Sequence, residues 1–144
     1  MPPSVLADLS FALHTQPRPL SLWGVIYTMS FDIPNLREYL NFLDVIHLWV
    51  WHARDLPQLD DHLDRCAELS GGKPVNLGLY LHDWGDKRPM PPDLMEFQCE
   101  KARQYLHERR VTGVTFLSTS VLDVGLSTPA WTRDWIQRVR DEAL

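Results

Sequence analysis

Cysteine is scarce here. Cys66 and Cys99 are the whole complement of a 144-residue chain, and neither belongs to a CxxC pair or a Cys/His cluster with zinc spacing. That excludes a disulfide framework and a structural zinc site, leaving two thiols expected in the interior. Positive charge is also short, with 14 lysines and arginines against 19 aspartates and glutamates, and no basic run is present that could track phosphates. Nucleic acid is therefore not an expected partner. No apolar run approaches the ~20 residues needed to cross a bilayer, and the opening MPPSVLADLS lacks a basic segment followed by an apolar one. Read from Met1, the chain is expected in the cytoplasm; as a segment of a longer protein, it would have any export signal upstream. Glycine-rich phosphate loops, serine elbows and Cys/His nucleophile patterns are missing too, which sets aside kinases, nucleotide dehydrogenases and serine hydrolases. No cofactor is expected. No low-complexity segment or linker interrupts the sequence, so residues 1–144 read as a single α/β domain.

What is present is a rhythm of apolar strands and amphipathic helices. An opening helix carries Val5, Leu6, Leu9 and Leu13 behind Ser4 as a cap, and Pro17 and Pro19 end it. Leu22–Met29 is rich in β-branched and aromatic residues and predicts a strand; Asp32 precedes a helix with Leu36, Tyr39, Leu40 and Leu43 at helical spacing. Val45–Trp51 predicts the second strand, with Ile46, Leu48 and Val50 on one face and His47, Trp49 and Trp51 on the other. Asp55 and Gln58 resemble a capped start for the next helix, whose buried stripe is Leu59, Leu63, Cys66 and Ala67 and whose stop is Ser70-Gly71-Gly72.

The third strand begins at Val75 and alternates Leu77, Leu79 and Leu81 with Asn76, Gly78, Tyr80 and His82. It runs into HDWGDKR, and a helix from about Pro92 to Arg109 follows, with Met95, Cys99, Ala102 and Leu106 inward. Val111–Ser118 predicts the fourth strand, and Thr128-Pro129 opens a last helix along Trp131, Trp135 and Val139.

Four β/α units in succession imply right-handed crossovers and a parallel sheet. A doubly wound sheet has near-continuous apolar strands, whereas these strands have one aliphatic face and one face of Asn, Gly, His, Thr and aromatics. The pattern suits half of a (β/α)8, TIM-type barrel, with a small open doubly wound sheet as the alternative. A complete barrel has eight units. Four would leave two unpaired edges and an apolar inner face, so completion is expected from a homodimer or from an N-terminal half outside this sequence, the latter favoured by the opening helix.

In both architectures sites form at the carboxyl ends of the strands. That rim holds Tyr27, Trp49, Trp51, His52, Tyr80, His82, Trp84 and Asp123 as candidate binding residues, and Asp83 and Asp86 as candidate acids. Flat aromatics beside hydrogen-bonding groups suit a carbohydrate or another small polar molecule.

The strand ends LWVWHA and LYLHDWG, set in this β/α rhythm, resemble the second half of the TIM-barrel glycoside hydrolases over about Leu22 to Ile136. The resemblance implies a sugar-binding rim and a nucleophile within HDWGD, where Asp83 is the nearest match and the usual Glu is missing. Two other readings stand beside it. One is a metal-dependent barrel hydrolase or isomerase using His52, His82 and Asp83; the other is a structural half-barrel or fragment without catalysis.

Overall fold

The computed structural model describes residues 2–117 and 125–142. Helix α1 (Pro3–His14) leads to strand β1 (Trp23–Tyr27), a 3-10 turn at Thr28–Ser30 and the short helix α2 (Leu36–Leu40). Strand β2 (Val45–Trp49), a 3-10 segment (Ala53–Gln58) and helix α3 (Leu59–Ser70) follow. Strand β3 (Val75–Tyr80) continues into the two-residue strands β4 (His82–Asp83) and β5 (Arg88–Pro89), and then into helix α4 (Pro92–His107). Strand β6 (Gly113–Leu117) and helix α5 (Ser127–Val139) complete the order.

The main sheet is parallel throughout, with its four strands in the order β1-β2-β3-β6. This order runs straight across the sheet without the reversal that puts helices on both faces of a doubly wound fold. Register partners share a face in a parallel pair, so the alternation read from sequence becomes two surfaces. Gly24, Ile26, Ile46, Leu48, Leu77, Leu79, Val114 and Phe116 form one of them. Ile46, Leu48, Leu77 and Leu79 are buried, each contributing about 1.5–3 kcal/mol relative to exposure. The opposite face carries Trp23, Val25, Tyr27, His47, Trp49, Asn76, Gly78, Tyr80, Thr115 and Leu117. It is open at its edges, where Trp23 is 52% and Val25 54% exposed.

The helices bury the stripes their spacing dictates. Leu59, Leu63, Cys66 and Leu69 line the inner side of α3, and Gly71 ends it at φ 68°. Met95, Cys99, Ala102 and Tyr105 line α4, joined by Gln98, which is buried because its Nε2 donates to the Tyr80 carbonyl at 2.8 Å. Burial pushes the Cys66 thiol up to about 11 and, with Glu100 nearby, the Cys99 thiol up to about 12, so both stay protonated.

Several helix starts differ from the sequence reading. Ser4 lies inside α1, which begins at Pro3 with Pro2 in the cap position. The helix expected after Asp32 shrinks to Leu36–Leu40 because Pro34 and Asn35, at φ 62°, interrupt it. Asp55 caps nothing: Pro57 sits in the 3-10 segment, and α3 begins only at Leu59. Thr128 does not cap α5, which starts at Ser127; its hydroxyl donates to the Leu81 carbonyl instead.

Candidate functional site

Two features mark the open sheet face and the strand ends. The first is a row of rings on the open face. The Trp49 ring centroid is 4.8 Å from His47 and 4.5 Å from Tyr80, while Trp51 is 5.3 Å from Tyr27 and 6.2 Å from Tyr80. Trp23 extends the row at 6.4 Å from His47. Burial first, and a hydrogen bond to the Tyr27 phenol second, push the Tyr80 phenol well above its usual range. Burial likewise lowers the affinity of His47 for a proton. The row is therefore neutral and aromatic, with Trp49 and Tyr80 buried in it and Tyr27 and Trp51 partly exposed.

The second feature is a polar clasp between the segment after β2 and the turn after β3. Asp83 and Arg88 face each other across the antiparallel β4–β5 ribbon, and Arg88 Nε donates to Asp83 Oδ2 at 3.2 Å. Asp83 Oδ1 accepts from the amides of Ala53 and Asp86, each at 3.2 Å. Burial raises the proton affinity of this carboxyl, but those amides and Arg88 outweigh it and hold Asp83 below the ordinary carboxylate range. Asp86 Oδ1 lies 3.0 Å from His52 Nδ1 and accepts from Arg54 Nη1 at 3.0 Å; Arg88 Nη2 stands 3.5 Å from Asp86 Oδ2. Gly85 donates its amide to the Trp51 carbonyl at 3.1 Å, which draws the turn against β2. An ideal Cβ on Gly85 would fall 2.1 Å from His52 Nδ1, so this close approach needs glycine.

The structure thus brings together two groups of the expected residues. Tyr27, Trp49, Trp51 and Tyr80 share the ring row, and His52, Asp83 and Asp86 share the clasp. His82 and Trp84 form a separate pair 4.8 Å apart, in which His82 Nδ1 and Trp84 Nε1 are buried without a hydrogen-bond partner. Asp123 lies outside the described residues.

Sequence reading missed Arg54 and Arg88 as partners of the two acids, and Gln98 as a buried tie. For Arg88 a signal existed, because a turn centred on Gly85-Asp86 brings residue 88 opposite residue 83. For Arg54 and Gln98 none did.

His52, Asp83 and Asp86 offer donor atoms within 4.8 Å of one another, a mixed nitrogen and oxygen set of a kind that divalent transition ions accept. Two guanidinium groups already compensate the carboxylates, however, and His82 stands apart from the set. The arrangement is a charge-balanced clasp, and its electrostatics oppose a cation.

Fold and rim together define a parallel α/β protein whose strand ends present an aromatic surface beside a histidine–carboxylate cluster. Comparison with protein-family models, curated proteins and solved structures finds no match for this chain.

Proposed function

We propose that the chain is half of a (β/α)8-type barrel whose strand-end rim binds a carbohydrate or a similar polyhydroxylated molecule. The observation that carries the reading is the continuous ring row from Trp23 to Tyr27 on the open sheet face, with hydrogen-bonding groups at its end. Sugars offer apolar C–H faces to such rings and hydroxyls to the polar groups beside them. The straight strand order supports the half-barrel, since consecutive right-handed crossovers place every helix on one side. Apolar grooves at both sheet edges support it too. One of about 410 Å³ is lined by Leu22, Trp23, Val25 and Ile33 beside β1, and another of about 200 Å³ by Val114, Phe116, Trp135 and Ile136 beside β6. Four more parallel strands, from a second copy or another half, would cover both.

Binding is favoured over glycosidase chemistry by one detail. Asp83 is 1% exposed and both its oxygens accept hydrogen bonds within the chain, so burial closes this carboxylate to a ligand. Titration calorimetry against a panel of mono- and oligosaccharides tests the reading. A binder weakened about tenfold by Trp51→Ala is the expected result, one stacking contact being worth about 1–1.5 kcal/mol. No binding by a folded sample across the panel would sink it.

A further inference from the structure

We propose that His52 and Asp86 form a proton-transfer dyad, in which His52 Nε2 accepts a proton from a hydroxyl group bound at the rim and Asp86 positions the imidazole. The ligand's identity rests on the carbohydrate reading above; the dyad is built wholly from this chain.

Asp86 receives Arg54 at 3.0 Å and Arg88 at 3.5 Å, so its oxygens face donors on both sides and act as acceptors. An ionised carboxylate only accepts hydrogen bonds, so the proton of the 3.0 Å contact belongs to His52 Nδ1. Neutral imidazole carries one N–H, which leaves the lone pair on Nε2. That atom takes no hydrogen bond among the described residues, and it is not one of the nitrogens sealed away from solvent.

The other histidines differ. His14 and His107 use Nε2 in contacts with Asp44 and Glu142, while His47 and His62 have Nε2 buried and unpaired, and His82 has Nδ1 so. His52 alone combines an oriented Nδ1 with an open Nε2, at the strand ends where sites of parallel sheets form.

The supporting shell is fixed as a working dyad requires. Asp86 is tethered by its own amide to Asp83, Gly85 by its amide to Trp51, and the β4–β5 ribbon by the Asp83–Arg88 pair. These ties hold the carboxylate on the imidazole from a turn that shares no element with it. In the transfer the ligand O–H bond breaks and the Nε2–H bond forms. The electron pair stays on the ligand oxygen, and the Asp86 carboxylate faces the resulting imidazolium until the proton returns to that oxygen.

Long-range ¹H–¹⁵N correlation spectra of the full chain at neutral pH, with labelled histidine, read the tautomer directly. His52 is expected as the Nδ1–H form. Diethyl pyrocarbonate, which carbethoxylates the lone-pair nitrogen, is the reactivity probe, with peptide mass spectrometry resolving the six histidines. His52 is expected to react fastest. Asp86→Asn should slow it by about tenfold, the low end of what an orienting partner is worth to an imidazole. Asp86→Glu should restore most of the rate, and the other histidines should not change. An Nε2–H tautomer, or an unchanged His52 rate in folded Asp86→Asn, overturns the proposal. Should that variant fail to fold, the wild-type tautomer and the Asp86→Glu rate decide it. Neither readout needs a sugar, so absence of carbohydrate binding with the dyad intact would defeat the carbohydrate reading alone.

Discussion

The indole of Trp49 lies flat on the backbone of its register partner Gly78, so closely that a Cβ there would fall 2.1 Å from Trp49 Cδ2. The ring row depends on this contact, because Trp49 is what links His47 to Tyr80. Gly78→Ala is expected to cost about 1–3 kcal/mol by overpacking, seen as a lowered urea midpoint with an unchanged slope. It should also shift the tryptophan fluorescence. A wild-type midpoint would show that the indole moves aside freely, and that the row is not a fixed surface.

Asp60 on α3 accepts from Lys101 Nζ at 2.6 Å, the Tyr105 hydroxyl at 2.9 Å and Arg110 Nη1 at 2.8 Å, tying α3 to α4. Lys101 above all, then Tyr105 and Arg110, hold its carboxyl below the usual 3.8 against the opposing effect of burial. A carboxyl whose folded-state pKa is depressed gives stability that is complete above the unfolded-state value and declines as pH falls from there through the folded-state value. Asp60→Asn should therefore show a shallower loss of stability below about pH 3.8 than the wild type in urea titrations. Asp60→Ala leaves the buried Tyr105 hydroxyl without its acceptor and should cost about 1–3 kcal/mol at neutral pH. Parallel acid limbs for Asp60→Asn and wild type would count against the linkage.

Arg109 adopts φ 57° just past α4, where the amides of Arg110 and Val111 turn back to the Tyr105 carbonyl. A side chain in the left-handed region costs about 1–2 kcal/mol, part of which glycine would give back through its freer unfolded chain. Arg109→Gly is expected to stabilise the protein by about 0.5–1 kcal/mol. A calorimetric Tm that stays put or falls would mean the guanidinium makes up the difference elsewhere.

How much of this was legible beforehand follows from what each feature depends on. The two faces of β3 were readable, because strict alternation of Leu77 and Leu79 with Asn76, Gly78 and Tyr80 admits one partition. Parallel pairing was readable too, from strands separated by helices. Helix starts were not: Asp55 and Thr128 have the chemistry of caps, yet Pro57 imposes a 3-10 lead-in on one, and the Leu81 carbonyl takes the hydroxyl of the other. The clasp was half visible. HDWGDKR announced a polar turn, but the Asp86–His52 contact spans 34 positions, and the absence of a Cβ at Gly85 that permits it has meaning only once the two segments meet.

The open sheet face supplies the last test. Val25, 54% exposed on the edge strand β1, borders no group that a carboxylate would leave unpaired in an isolated sheet, so Val25→Glu should cost the lone chain little, about 0.5 kcal/mol or less. In a completed barrel the same position lies against four further strands, and a charge buried there without a partner is costly. The half-barrel reading therefore predicts that the wild type scatters light as an associated species or binds a hydrophobic dye on this face, and that Val25→Glu abolishes association or dye binding while the chain stays folded. A wild-type chain that is strictly monomeric, unfolds cooperatively and binds no dye would mean the four-stranded sheet is self-sufficient. The rim would then be a site on an open sheet, and the ring row would have to be explained without a second half.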